Sequence, residues 1–144
     1  MTTRVWGEAY RTNIVCVDTY QRGILHGRFY NHSLKAGKTF HCLTQLLQEM
    51  ENTLNKMDFP KAYTAARSFA PVTPATAEDT CEEDPVGKQA TFAVRILFRQ
   101  NASWQGSVVW MEEGREESFR SALELIFLMD SALSQTTELH KRIV

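Results

Sequence analysis

The sequence predicts an α+β fold: two ββα units that form a two-layer structure, with a four-stranded antiparallel sheet and both helices on one of its faces. Three observations support this prediction, namely an internal repeat, segments that alternate as strands do, and segments with helical apolar spacing. The chain has 144 residues, of which 43% are hydrophobic and 23% are charged. These values are typical of a soluble globular protein, so we expect residues 1–144 to form a single domain.

The repeat is visible when the sequence is aligned with itself at a shift of 79 positions, without a gap. Two copies are too few for a solenoid, in which stacked neighbours bury the core. We therefore interpret residues 13–57 and 92–136 as an internal duplication of one supersecondary unit. Identical pairs include Val15 with Val94, Gln21 with Gln100, Gly27 with Gly106, Phe40 with Phe119, Leu46 with Leu125, Met50 with Met129 and Leu54 with Leu133.

The first unit opens with a predicted hairpin. Residues 13–20 are rich in β-branched side chains, Arg22-Gly23 supplies a turn, and residues 24–32 return antiparallel. Residues 31–37 predict a second turn, because they hold Asn, His, Ser, Lys and Gly. Residues 61–69 alternate like a strand and are a candidate fifth strand of the sheet.

A helix follows the second turn. Thr39 is the predicted N-cap, and the helix should end before Pro60, because proline disfavours helical geometry at the residue that precedes it. Apolar residues spaced by three and four place one face towards the core. These residues are Phe40, Leu43, Leu46, Leu47, Met50, Leu54 and Met57.

The second unit repeats this order. Residues 89–100 alternate most regularly of all and predict a half-buried strand, and residues 104–111 return beside it. Ser118 is the predicted N-cap of the second helix, at the position equivalent to Thr39. The apolar face of this helix consists of Phe119, Ala122, Leu123, Ile126, Met129, Ala132 and Leu133.

Residues 70–88 differ in composition from both units, since they are rich in Pro and Thr and hold no apolar side chain larger than valine. We interpret them as a solvated acidic loop between the units; a patch that mimics DNA is the alternative. Charge is uneven along the whole chain: residues 1–41 sum to +4 and the remaining residues to −5. The acidic residues of the loop are Glu78, Asp79, Glu82, Glu83 and Asp84.

The sequence indicates a cytoplasmic protein with free thiols. Cys16, Cys42 and Cys81 are odd in number and widely spaced, which suits neither a disulfide framework nor a metal knuckle. Residues 1–10 lack the apolar region of a signal peptide, and no apolar run reaches the length that crosses a membrane. No zinc motif or phosphate-binding loop is present, so we expect no metal, no cofactor and no enzymatic activity.

Polar side chains that could serve as general acids and bases are scattered over the first half of the chain. An RNA-cleaving enzyme needs such groups around one phosphate. His26 and His32 lie roughly 20 Å apart along one predicted strand, which argues against one compact site. The group comprises His26, Arg28, Tyr30, His32, His41 and Asp18.

If both helices cover one face of the sheet, the other face is open to a partner. Strand parity assigns Cys16, Asp18, Arg95, Leu97 and Arg99 to that face. Arginine and aromatic side chains are enriched in protein interfaces and also stack on nucleotides. A homodimer through this face or through an edge strand is a further interpretation. The predicted partner-binding residues are Arg95, Arg99, Arg28, Tyr30, Trp104 and Trp110.

Three segments together carry a resemblance. They are Gly-Ile-Leu-His-Gly-Arg-Phe-Tyr-Asn at 23–31, Met-Asp-Phe-Pro at 57–60 followed by Arg-Ser-Phe at 67–69, and Trp-Gln-Gly-Ser-Val-Val-Trp at 104–110 leading into Phe-Arg-Ser-Ala-Leu-Glu-Leu at 119–125. The chain resembles small uncharacterised proteins found in mobile elements and phages of gut Firmicutes. Proteins of that setting include anti-CRISPR inhibitors of type II effector nucleases.

The resemblance implies a non-enzymatic inhibitor that binds a type II CRISPR effector nuclease or its complex with guide RNA. Two other functions stay open at this point: a small RNA-binding or RNA-cleaving protein, and a structural homodimer.

Overall fold

The computed structural model describes residues 8–62, 69, 80–81, 85–100 and 103–143. The described elements are a 3-10 helix at Glu8–Arg11, seven strands and two α-helices. The strands are β1 (Thr12–Gln21), β2 (Ile24–Asn31), β3 (Gly37–Phe40), β4 (Thr80–Cys81), β5 (Ala90–Phe98), β6 (Gln105–Trp110) and β7 (Arg115–Phe119). The helices are α1 (Leu43–Met57) and α2 (Ala122–Ile143).

The strands form one open sheet in the order β4-β3-β2-β1-β5-β6-β7, and all neighbours are antiparallel. Six of the strands have four or more residues, and the two-residue β4 pairs with β3 at one edge. The predicted α+β class is confirmed. The predicted count of four or five strands is wrong, because each half contributes three strands rather than two.

The extra strand in each half, β3 or β7, lies where the sequence predicted the start of a helix. Thr39 and Ser118 belong to these strands and do not cap helices. Cys42 is the N-cap of α1, and the Ser121 hydroxyl accepts the Glu124 N–H at 3.1 Å at the start of α2. Both predicted helices therefore begin three residues later than their predicted caps implied.

Two other local predictions are confirmed. The β1–β2 hairpin turns at Arg22 and Gly23, whose positive φ angles of 55° and 77° are those of a tight two-residue turn. Helix α1 ends before Pro60, and Asp58 adopts the left-handed conformation (φ 49°) that commonly terminates a helix.

The core lies between the two helices and one face of the sheet. Side chains alternate along the central strands, so Val15, Phe29 and Phe92 point to this helix-covered face and are buried. The helices contribute their predicted apolar faces. The buried helical residues include Leu46, Met50, Leu54, Leu125, Met129 and Leu133.

The pairing of the second half repeats that of the first at a shift of 79 positions. Gly27 lies opposite Phe40, and Gly106 lies opposite Phe119. Register irregularities also recur, between Val17 and Thr19 in β1 and between Ile96 and Phe98 in β5. Apart from β4, the strand order is symmetrical about the β1–β5 boundary, where Ile14 lies opposite Ala93.

Parts of two sequence predictions lie outside the described residues. These parts are the acidic residues of the loop at 70–88 and most of the candidate strand at 61–69. From the latter segment, Ala62 forms an isolated bridge with Arg99. Among the described residues, neither helix is both long enough and apolar enough to cross a membrane.

Candidate partner-binding surface

A connector formed by residues 85–88 lies against the sheet face that the helices leave uncovered. Its Lys88 N–H donates to the Asp18 carboxylate at 3.1 Å, and its Gly87 N–H donates to the Thr91 hydroxyl at 2.9 Å. A Cβ atom on Gly87 would lie 2.1 Å from the Ala90 carbonyl oxygen, so only glycine permits this close approach. The chain itself therefore covers part of the open face.

Arg28, in β2, holds the connector against the sheet. Its guanidinium donates twice to Asp18, at 3.1 Å each, and also to the Val86 carbonyl at 2.6 Å and the Tyr30 hydroxyl at 3.1 Å. The hydrogen bond to Asp18 raises the pKa of Arg28 above its ordinary value. Only 5% of Arg28 is exposed, so this residue holds the connector on the sheet and is not available to a partner. Tyr30 is half-buried beside it.

Arg99 does not lie on the open face, and its parity assignment was wrong. The irregularity between Ile96 and Phe98 inserts one residue into β5, and every later side chain changes face. Arg99 is 2% exposed and donates to Glu51 at 2.9 Å and to Asn55 at 2.7 Å in α1. The same shift places Phe98 on the open face.

The two predicted tryptophans are buried as well. Trp104 is 5% exposed, and its indole N–H donates to the Glu51 carboxylate at 2.6 Å. Trp110 is 8% exposed and lies on the helix-covered face of β6. These positions give both tryptophans a role in the core.

Arg95 is the predicted partner-binding residue that stays exposed on the open face. Around it lie side chains of β5 and β6 and the residue that follows β6. Phe98 and Met111 expose 54% and 51% of their surface, and Leu97 and Val109 are half-buried. We call Arg95, Leu97, Phe98, Val109 and Met111 the open patch; it runs roughly 20 Å along the strands.

Phe98 and Met111 were not predicted as surface residues. Phe98 has the same parity as the buried residues of β5, and an inserted strand residue leaves no mark in a pattern of alternating apolar side chains. Met111 ends a predicted strand whose facing could not be assigned. The one sequence signal for an exposed Phe98 is its place at the end of a regular strand, directly before two polar residues.

Two histidines of the candidate acid/base group are in contact in the structure. The rings of His26 and His41 lie 5.3 Å apart, edge to face, and both side chains are exposed. His32 instead contacts Tyr10, at 5.5 Å between ring centroids. Within the described residues, no three His, Cys, Asp or Glu side chains are grouped so that they could hold a metal ion.

Comparisons with protein-family models, curated proteins and solved structures find no match for the chain. The resemblance to proteins of mobile elements and phages therefore stays a prediction.

Proposed function

We propose that this chain is a non-enzymatic binding protein and that the open patch contacts a protein or ribonucleoprotein partner. The observation that carries the proposal is the exposure of Phe98 and Met111 on the sheet face that also carries the exposed Arg95. Aromatic, methionine and arginine side chains are the types enriched in protein interfaces, and burying them against a partner removes apolar surface from water.

The most specific form of the proposal is an inhibitor of a type II CRISPR effector or its guide complex, encoded by a mobile element or phage and acting in the cytoplasm. This form rests on the resemblance of the sequence and not on the geometry. The free thiols of Cys16 and Cys42 are compatible with a reducing compartment.

An RNA-binding or RNA-cleaving protein is the second candidate, favoured by the contact between His26 and His41. Such a site also needs a cation for the phosphate. Arg28 is the arginine nearest to His26 along β2, but its guanidinium already bonds to Asp18, Tyr30 and Val86. A guanidinium with three bonded partners has few donors left for phosphate, so the geometry supports the binding protein better.

We also infer that the two halves arose by internal duplication. The support is the recurrence, at a shift of 79 positions, of both strand registers and both irregularities. The close contacts recur too: a Cβ on Gly27 would lie 1.8 Å from the Cys16 carbonyl oxygen, and one on Gly106 would lie 1.8 Å from that of Arg95.

The experiment is a titration of the protein into target-DNA cleavage by a type II CRISPR effector, before and after guide loading, with the guide RNA followed on a gel. Phe98→Glu tests the open patch. Leu123→Glu is the matched control, because Leu123 is 59% exposed on α2, away from that patch. We expect inhibition that saturates near one equivalent, leaves the guide intact and is lost only in Phe98→Glu.

Other outcomes reject parts of the proposal. Shortened guide RNA at substoichiometric protein would favour the enzyme, and a histidine variant such as His41→Ala should then abolish it. Full cleavage at large excess of protein would remove this effector as the partner. Inhibition by Phe98→Glu that equals that of the wild type would exclude the open patch as the contact surface.

A further inference from the structure

A second candidate interface lies on the opposite side of the sheet, between α2 and strands β5 to β7. It is a pocket of about 120 Å³ whose walls are mainly apolar. Exposed side chains of β7, Arg115 and Glu117, stand at its border. The apolar lining consists of Phe92, Val108, Trp110, Leu128 and Ala132.

The size of this pocket suits one side chain. An apolar cavity of about 150 Å³ holds a benzene molecule, so a slightly smaller pocket admits a leucine or methionine side chain. The pocket borders the edge strand β7, so a chain that ran along that edge would have side chains within reach of it. A side chain delivered from an added strand is therefore a natural occupant.

Strand β7 is the edge of the sheet, and its outer side pairs with none of the described residues. The equivalent edge in the first half, β3, is paired: Gly37 lies opposite Cys81 and Lys38 opposite Thr80. A shift of 79 positions maps Gly37 and Lys38 onto Glu116 and Glu117. Among the residues that the structure describes, one edge is thus covered by a segment of the chain and the equivalent edge is not.

Charge distinguishes the possible occupants of this edge. The β6–β7 hairpin carries Glu112, Glu113, Glu116 and Glu117 against the single Arg115. A second copy that paired through its own β7 would bring two hairpins of net negative charge together, which is unfavourable. Lysine or arginine on the added strand would instead meet the carboxylates at close range.

We propose that β7 binds an extended, basic segment of a partner protein. The segment adds to the sheet as an antiparallel strand opposite Glu116 and Glu117, and one apolar side chain enters the pocket beside Trp110. Backbone hydrogen bonds supply general affinity, whereas the pocket and the carboxylates select the sequence. This site is separate from the open patch and does not depend on the function proposed above.

The probe is the synthetic peptide acetyl-Thr-Lys-Leu-Lys-Thr-amide, followed by ¹⁵N NMR of the full chain. Trp110 is the reporter; its indole N–H has no acceptor among the described residues, and Trp110→Phe identifies its signal. We expect the Trp110 indole and the β7 amides to shift with this peptide. The version with alanine in place of leucine should leave the Trp110 indole unchanged and should shift the β7 amides less, because it keeps the backbone and lysine contacts but leaves the pocket empty.

Two variants test the charge argument. Glu116→Lys should lower the affinity for the peptide about fivefold, because it replaces an attraction to the lysines of the added strand with a repulsion. Glu113→Lys makes the same charge change in the hairpin turn and should have little effect. Both residues are exposed, so both variants should fold.

Five results would overturn the proposal. The Trp110 indole and β7 amide signals could remain unshifted at millimolar peptide, or they could shift equally with the alanine peptide. The two lysine variants could weaken binding equally. Nuclear Overhauser contacts in the free protein could show the chain's own residues in the pocket. A dimer in sedimentation that the peptide dissociates would assign the edge to a second copy.

Discussion

The Tyr20 hydroxyl donates a hydrogen bond to the Asp130 carboxylate and so joins strand β1 of the first half to helix α2 of the second half. A shift of 79 positions turns this pair into Arg99 and Glu51, which are also bonded, at 2.9 Å. In each half, the chain at the end of the first strand therefore contacts the helix of the other half. The halves are joined in this way at opposite ends of the central strand pair.

The first prediction concerns pH. The bond to Asp130 raises the pKa of Tyr20 from 10.0 to about 12. A raised folded-state pKa means that the stabilising contribution is complete below pH 10.0 and is lost as the pH rises towards about 12. We expect the stability advantage of the wild type over Tyr20→Phe to shrink across this interval, as measured by urea denaturation at several pH values.

The control is Asp130→Asn, which removes the carboxylate and should return the pKa of Tyr20 towards its ordinary value. Ultraviolet titration of tyrosinate absorbance, with Tyr20→Phe as the difference reference, measures that pKa. A Tyr20 that titrates near pH 10.0 in the wild type would contradict the contact.

The second prediction compares two arginines of one strand region. Arg99→Met leaves Asn55, Glu51 and the Pro60 carbonyl without their buried donor and should cost about 2 to 4 kcal/mol of the free energy of unfolding. Arg95→Met changes an exposed side chain and should change the free energy of unfolding by no more than about 0.5 kcal/mol. Chemical denaturation measures both; equal costs would contradict the change of face at the β5 irregularity.

The third prediction concerns the phenylalanines that end the third strand of each half. Phe40 and Phe119 are 1% and 2% exposed, so truncation of either to alanine should cost about 3 to 5 kcal/mol. Phe127 is 61% exposed on α2, and Phe127→Ala should cost less than about 1 kcal/mol. Thermal unfolding followed by circular dichroism tests this; an unchanged midpoint in Phe119→Ala would refute the core assignment.

The fourth prediction concerns the equivalent glycines of β2 and β6. A Cβ on Gly27 or Gly106 would lie 1.8 Å from a backbone carbonyl oxygen, and backbone cannot move aside cheaply. Gly27→Ala and Gly106→Ala should each cost more than about 4 kcal/mol or prevent folding. Gly114→Asn is the control, since its added Cβ meets open space and asparagine tolerates the positive φ of 61°. Soluble yield and melting temperature distinguish them.

The sequence predicted the longer elements because their patterns are local. The β1–β2 hairpin, β5 and both helices follow from alternation, a two-residue turn and helical spacing. Strands β3 and β7 were not predicted. They are short, their side chains are polar apart from the last, and they are held by pairing with neighbouring strands.

The candidate site was less predictable than the fold. One inserted residue in β5 exchanged the faces of Phe98 and Arg99, and sequence parity cannot detect such an insertion. Arg28 looked available for a partner because the connector that buries it is 58 residues away in sequence. Arg95 precedes the irregularity, so its predicted facing was correct.

The most direct test of the open patch as the contact surface is methyl NMR of the protein with and without the guide-loaded type II effector. We expect the Met111, Val109 and Leu97 methyl signals to shift or broaden at one equivalent, whereas the Leu123 methyl signals on α2 should not change. Changes confined to Leu123, or unchanged signals throughout with an effector that the protein does inhibit, would contradict it.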